Sequence, residues 1–359
     1  MNINILIVSP SLDPKYNVSG ISSVTRFIIG NCTSHSFIHF QLGKRDNEKG
    51  GIMRIPNLIK CLFSWIFLLL NNKNVLIHYN FSLDKKAILR DFFFISIAKQ
   101  MHKPMVLHLH GGKYLDNDNP PIYLENMIKQ IFSCKCPIIV LGCKEQKILQ
   151  KRYRKKDIVV LPNPVDSPNM YINRDVNENT VIHFLFLGRI ETNKGIDEIY
   201  KSFSDLQTCH SDFVLHFAGK EQGANSYIDK FSELLGNKFI YEGVVSGNKK
   251  ENLLKQCHVF LLPSYYEGLP MSLLESMSYG MVPIVTEVGS IGDYVVDGKN
   301  GMIVNVGDAK SLYNSVNRIL ENRKIINDLS KDAYETMSNY FSKDEYIDKL
   351  NEIYNKVRL

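Results

Sequence analysis

The sequence predicts an α/β protein made of two Rossmann-like domains in tandem, each built on a parallel sheet. Short apolar runs alternate with helical segments, the rhythm of repeated βαβ units. That rhythm pauses once, at Pro162-Asn163-Pro164-Val165-Asp166 and the polar stretch 167–180, and then resumes. A chain of 359 residues also suits about two domains. The pause sets the boundary, giving domains 1–165 and 166–342 with a helical tail after them.

In the first half, strands are expected at 3–8, 37–41, 75–79, 105–110, 137–141 and 158–161. Each is rich in Ile, Val, Leu and Phe, as strands buried on both faces are. Helices are expected at 21–29, 55–70, 85–100, 122–132 and 144–153. In the second half the strands fall at 181–187, 213–218, 239–242, 259–262 and 283–285. Helices fall at 196–206, 226–235, 249–256 and 271–279. From Asp308 onward only helices are expected. The last, 343–357, sets Tyr346, Ile347, Leu350, Ile353, Tyr354 and Val357 on one helical stripe.

The net charge of +6 hides an asymmetry. Residues 1–165 hold 23 Lys and Arg against 10 Asp and Glu, a net of +13; the remainder holds 20 against 27, a net of −7. A basic half suits nucleic acid or an anionic membrane. With no zinc-finger, helix-turn-helix or RNA-binding-sheet signature present, the membrane is the better partner. Residues 55–70 carry Leu58, Ile59, Leu62, Phe63, Ile66, Phe67, Leu69, Leu70 and the single Trp65. They fit a core helix and an interfacial helix equally. The run falls short of the roughly 20 residues a membrane span needs, and the start shows no secretory signal. The seven cysteines form no framework, so reduced thiols in a cytoplasmic protein are expected.

The chemistry concentrates in Glu267-Gly268-Leu269-Pro270-Met271-Ser272-Leu273-Leu274-Glu275. Glu267 is placed on a strand-to-helix loop and Glu275 about one turn into the following helix. Open α/β sheets bind ligands at the carboxyl ends of their strands, and helix N-termini attract phosphate. Gly188-Arg189 follows an earlier strand, and Lys194-Gly195 opens the next helix. Arginine and lysine reaching one sheet edge suit a diphosphate. A glycosidase pair is the other reading of the glutamates, but it needs both carboxylates to flank one bond. Separate tasks suit them better: Glu267 for sugar hydroxyls and Glu275 for ribose hydroxyls. Gly20, after the strand at 3–8 and Ser19, lets backbone approach a phosphate. His108 and His110 alternate onto one face, with His110 expected at the ligand side and His108 in the core. Asp116-Asn117-Asp118 resembles a D-x-D metal motif but sits in a polar, proline-flanked loop, and no metal site is expected.

Taken together these residues resemble the retaining glycosyltransferases of the GT-B fold, glycosyltransferase family 4, over nearly the whole chain. The matching pieces are Ser19-Gly20-Ile21, His110-Gly111, Asn163-x-Val165-Asp166, Gly188-Arg189 with Lys194-Gly195, and the glutamate block. Val288-Gly289-Ser290 and Asp297-Gly298-x-Asn300-Gly301 complete them. The resemblance implies two facing domains with the site in the cleft and the helix 343–359 crossing back to the first. The nucleotide sugar would lie on the second domain, with a UDP-sugar the first candidate and a GDP-sugar the alternative. Arg189, Lys194, Glu267 and His110 would act on the reacting groups. Gly20, Gly188, Gly268, Leu269, Pro270, Met271 and Glu275 would bind the donor. No metal and no protein nucleophile would be required. Ser19-Gly20 replaces a common Gly-Gly, and Asn163-Pro164 a common Asn-Gly.

The expected activity is transfer of a hexosyl or N-acetylhexosaminyl group to a glycan or lipid-linked acceptor during surface-polysaccharide assembly, at the cytoplasmic face of the inner membrane. A nucleotide-sugar epimerase of similar architecture and a non-catalytic sugar- or lipid-binding scaffold are the competing readings.

Overall fold

A computed structural model describes residues 3–43, 48, 54–116, 119–165, 168, 171–222, 226–340 and 342–357. The chain divides into two units, 1–164 with 343–359, and 165–342. Asn117, Asp118 and Asp166, which belong to two of the sequence motifs, lie outside the described residues.

The first unit runs β1 (Asn4–Ser9), α1 (Gly20–Asn31), β2 (Ser36–Gln41), α2 (Ile55–Asn71), β3 (Leu76–Phe81) and α3 (Lys85–Gln100). It continues with β4 (Met105–Leu109), α4 (Lys113–Asp116), α5 (Ile122–Phe132), β5 (Ile138–Val140), α6 (Cys143–Tyr153) and β6 (Ile158–Val160). Its six strands are parallel, in the order β2-β1-β3-β4-β5-β6. β3 is buried at every position and β1 at all but its first, because helices cover both faces of a parallel sheet. The aromatic centre of this core is Trp65, whose indole N–H donates to the Phe94 carbonyl at 3.0 Å while its ring lies 4.9 Å from Phe40.

The second unit runs β7 (Ile182–Leu187), α7 (Ile196–Leu206), β8 (Phe213–Ala218), α8 (Tyr227–Leu235), β9 (Phe239–Gly243) and α9 (Gly247–Gln256). Then follow β10 (Val259–Leu262), α10 (Met271–Ser278), β11 (Val282–Thr286), β12 (Met302–Val304), α11 (Ala309–Glu321) and α12 (Ile325–Tyr340). The sheet order is β12-β11-β10-β7-β8-β9, again parallel. Phe184, Phe203, Phe213, Phe217, Phe231 and Phe239 pack edge-to-face, tilted and, for Phe231 on Phe239, stacked in its core. α13 (Lys343–Lys356) follows and belongs to the first unit, where Tyr346, Leu350, Ile353 and Tyr354 are buried.

Several helix starts follow from local capping. Ser19, Ser226 and Asp308 accept from the backbone N–H three residues on, opening α1, α8 and α11. Two elements escape the sequence reading. β12 is a three-residue edge strand paired only with β11, and α4 is a single turn. α1 also begins one residue earlier than expected, so Gly20 is its first residue, not the loop's last.

Candidate functional site

In an open parallel sheet the natural binding place is where the strand order reverses, at the carboxyl ends of the strands on either side. In the second unit that point lies between β7 and β10. β7 ends at Leu187 and runs into Gly188 and Arg189; β10 ends at Leu262 and leads to Glu267.

The two loops are tied together. A 3-10 turn at Thr192–Lys194 follows β7, and the Asn193 carbonyl accepts from Tyr265 N–H at 3.0 Å. Asn193 Nδ2 donates to the Tyr266 hydroxyl at 2.9 Å. Gly195 permits this approach. Its φ is +76°, and a Cβ there would lie 2.1 Å from the Pro263 carbonyl oxygen. On the far side Gly289, φ +57°, comes equally near, since a Cβ would stand 2.4 Å from the Glu267 carbonyl oxygen. Ser290 N–H donates to the Gly268 carbonyl at 2.9 Å. The Val288-Gly289-Ser290 segment thus supports the glutamate loop from behind.

These constraints bring Lys194 to Glu267. Lys194 Nζ donates to Glu267 Oε1 at 2.6 Å, and Ser264 Oγ donates to the same oxygen at 2.7 Å. The pair is largely enclosed, with side chains 15% and 10% exposed. Glu275, the fifth residue of α10, is held by Lys250 of α9 at 2.7 Å. Arg189 stands 3.6 Å from Glu191 and is 44% exposed. Leu269, Pro270 and Met271 form the entry to α10, with Pro270 as its N-cap residue, so backbone N–H groups of the first turn face the loop that carries Glu267. The structure therefore joins Lys194 with Glu267 and leaves Arg189 and Glu275 with other partners. Ser264 and Lys250 were not anticipated. Ser264 lies three residues before Glu267 on one loop, a spacing that could have signalled it, whereas nothing in the sequence ties residue 250 to 275.

Gly20 and His110 belong to the first unit. The strand order there reverses between β1 and β3. Asn80, near the end of β3, stands opposite His108 in the register and spans neighbouring elements. Its Nδ2 donates to the Val8 carbonyl at 2.9 Å, so its Oδ1 faces His110 Nε2 at 2.8 Å. His110 Nε2 therefore carries the ring proton, and Nδ1 is left as a hydrogen-bond acceptor. Burial, with the nearby His78, pushes His110 down to about 3, so the imidazole is neutral. His108 is fully buried, and its ring lies 4.1 Å from that of His110, tilted by 31°. Behind it a polar chain runs from His108 Nδ1 to His78 Nε2 at 3.1 Å and from His78 Nδ1 to the Tyr354 hydroxyl of α13 at 2.6 Å. Asn80, His78 and Tyr354 had no sequence signal beyond their place on buried stripes.

Asp297-Gly298-x-Asn300-Gly301 proves to be a turn scaffold. Asn300 Oδ1 accepts from Val296 N–H and Asp297 Oδ1 from Ile303 N–H. Among the described residues no three His, Cys, Asp or Glu side chains are grouped to hold a metal ion, and no helix is long and apolar enough to cross a membrane. All seven cysteines are free thiols.

Residues 172–336 match the model of the family described as glycosyl transferases group 1. The chain is 26% identical to the UDP-Gal:alpha-D-GlcNAc-diphosphoundecaprenol alpha-1,3-galactosyltransferase of Escherichia coli, over 70% of this chain and 69% of that one. It is also 26% identical to the N,N'-diacetylbacillosaminyl-diphospho-undecaprenol alpha-1,3-N-acetylgalactosaminyltransferase of Campylobacter jejuni, over 56% of this chain and 52% of that protein. Among solved structures, a sucrose-phosphate synthase from Thermosynechococcus elongatus superposes with a TM-score of 0.77 at 17% identity, covering 99% of both chains. Anabaena HepE in complex with UDP-glucose gives 0.76 at 15% identity, covering 99% of this chain and all of that one. These likenesses show a GT-B fold.

Proposed function

We propose that this glycosyltransferase, whose residues 172–336 match the glycosyl transferases group 1 model, builds a surface polysaccharide. It moves a hexosyl or N-acetylhexosaminyl group from a nucleoside diphosphate sugar to a glycan or lipid-linked acceptor. A UDP-sugar is the first candidate donor, in line with the activity named for the Escherichia coli relative and the ligand of HepE. Relatives named for diphosphoundecaprenol acceptors support a lipid-linked acceptor, and the reaction is placed at the cytoplasmic face of the membrane as part of this proposal.

The observation that carries this reading is the Lys194–Glu267–Ser264 cluster at the β7/β10 switch point, beside the N-terminus of α10. Lys194 and Arg189 supply positive charge to the diphosphate, and the first turn of α10 adds backbone donors. Glu267, oriented by Ser264 and Lys194, accepts from hydroxyls of the transferred sugar. Glu275 takes the ribose hydroxyls. His110, with Nδ1 as acceptor, receives a hydrogen bond from the sugar, and Gly20 lends backbone at the opening of α1.

The chemistry is front-face displacement with retention. The bond from the anomeric carbon to the phosphate oxygen breaks as the acceptor oxygen bonds from the same side, and the acceptor proton passes to the departing phosphate. Fixed cations stabilise the developing charge, so turnover needs no metal ion. Incubation with a panel of nucleotide sugars and undecaprenyl-type acceptors releases nucleoside diphosphate, with or without chelator. The Arg189→Ala, Lys194→Ala double variant lowers kcat by roughly a thousandfold. Undiminished turnover in that variant would remove the mechanism.

A further inference from the structure

α2 reverses the usual order of a surface helix. Its inner face is anchored by Trp65 and Leu69, both fully buried. The opposite face, which ordinarily carries polar groups, presents Ile59, Phe63, Phe67 and Leu70 at steps of three and four residues. They are 50%, 70%, 69% and 59% exposed. Ile55 extends the stripe by one turn at 51%. Lone exposed hydrophobics are ordinary, but two phenylalanines and three aliphatics on one stripe form a contiguous apolar ridge.

The charges along the ridge are mostly positive; at its amino end Glu48 pairs with Arg54 at 3.4 Å. Between Glu48 and Asp84 the sequence has no acidic residue and four cations, Lys49, Arg54, Lys60 and Lys73. Lys60 lies beside the ridge and is exposed. At the carboxyl end of α2, Lys103 Nζ donates to the carbonyls of Asn72 and Lys73, which sets a further cation there. Burial and the charge of Lys73 hold Lys103 below the usual lysine range. Crowded cations at a helix end are relieved by an anion.

We propose that α2 is a bilayer-docking helix. Ile59, Phe63, Phe67 and Leu70 enter the boundary between headgroups and acyl chains of an anionic membrane, while Lys60 and Lys73 meet the headgroup phosphates. With 17 residues it is about 25 Å long. One face is committed to the protein core, so it lies in the plane of the interface and does not span it. A second copy of the chain is the other conceivable occupant. A two-fold contact through this face would set like charges against each other with no carboxylate on the helix to offset them, whereas anionic lipid matches both the ridge and its rim. The inference deepens the proposed function, since an enzyme using a lipid-linked acceptor must meet that acceptor at the bilayer surface.

The test is co-sedimentation of the full chain with vesicles of phosphatidylcholine alone and of phosphatidylcholine with phosphatidylglycerol. Binding is expected to the anionic vesicles and to weaken with added salt. Phe63→Ser with Phe67→Ser is expected to lower the vesicle partition coefficient by at least about tenfold. Lys60→Gln with Lys73→Gln lowers it by about tenfold at low salt, and by less as salt rises. Unchanged partition in the phenylalanine variant overturns the proposal, and so does equal partition onto both vesicle types. Concentration-dependent dimers in lipid-free solution, abolished by the same phenylalanine variant, would assign the face to a second copy instead. UDP binding by calorimetry is measured on every variant and is expected to persist. Vesicle binding lost with UDP binding intact concerns α2 alone, whereas absent transfer with vesicle binding intact concerns the proposed reaction.

Discussion

The two sheets present their polar groups in opposite electrostatic states. At the β7/β10 switch point of the second unit the groups are ionised, paired and partly open to solvent: Lys194 with Glu267, Lys250 with Glu275, Arg189 near Glu191. Behind β3 and β4 of the first unit they are neutral imidazoles, two of them fully buried, joined to Tyr354 and backed by an apolar core. Under the proposed function the difference follows the substrate. A diphosphate carries charge and calls for ionised partners that can exchange between each other and the ligand. A sugar is neutral, and an uncharged acceptor nitrogen with a fixed tautomer orients it without competing for the phosphates.

The sharpest way to break the comparison is at the backbone that assembles the charged side. Gly195→Ala forces a β-carbon onto the Pro263 carbonyl, at a positive φ as well. A loss of about 2–4 kcal/mol in stability is expected, from strain and from overpacking together. Turnover should fall with it, because the same contact sets Lys194 beside Glu267. Gly30→Ala in α1 is the control. A β-carbon there meets nothing within 4 Å, so urea denaturation should show no loss and even a small gain. Equal effects at the two glycines would mean that the β7 and β10 loops are not locked together.

Much of this architecture was legible because parallel strands buried on both faces read as unbroken apolar runs, as Ile5 to Val8 and Val259 to Leu262 do. Elements of three or four residues, such as Met302–Val304 and Lys113–Asp116, are too short for any period to register. Strand order was also invisible, since β10 returning beside β7 leaves no local mark. The residues anticipated at the site were those attached to glycine or proline turns. Their partners came from other elements: Lys250 from α9, Asn80 from β3, Tyr354 from the far end of the chain. α2 was ambiguous for a definite reason. A helix apolar on both faces has a pattern that fits core and interface alike, and only packing shows that Trp65 points in while Phe63 and Phe67 point out.

The neutral side can be tested through pH. Burial holds His78 at about 3 and His108 well below its usual value, against about 6.5 in the unfolded chain. Between those limits the unfolded state binds protons that the fold refuses. The first unit therefore keeps its full stability above about pH 6.5 and loses it as pH falls toward 3, by about 1.4 kcal/mol per pH unit for each histidine. His258 of the second unit, also held at about 3 by burial, behaves the same way, so a probe confined to one unit is needed. Trp65, the single tryptophan, is buried in the first. Its fluorescence midpoint in urea should drop from pH 7 to pH 5. A constant midpoint would mean that these imidazoles take up protons as readily in the fold as in the unfolded chain, and the contrast between the units would be gone.

The smallest expected effect lies within the charged side, between its two ion pairs. Lys250 is 32% exposed and Lys194 is 15% exposed, so water already screens the Lys250–Glu275 pair more strongly. A partly exposed pair of this kind contributes about 1 kcal/mol or less. Removing one partner of an enclosed pair is costlier, because it strands the other charge. Lys250→Met should therefore change the UDP dissociation constant by no more than about fivefold, and the change should shrink further as salt is raised. Calorimetry at two ionic strengths reads both. Near-complete loss of UDP binding in this variant, persisting at high salt, would make Lys250 a ligand-contacting cation of the same rank as Lys194. The charged side would then hold three such cations, with Glu275 serving to store one of them between turnovers.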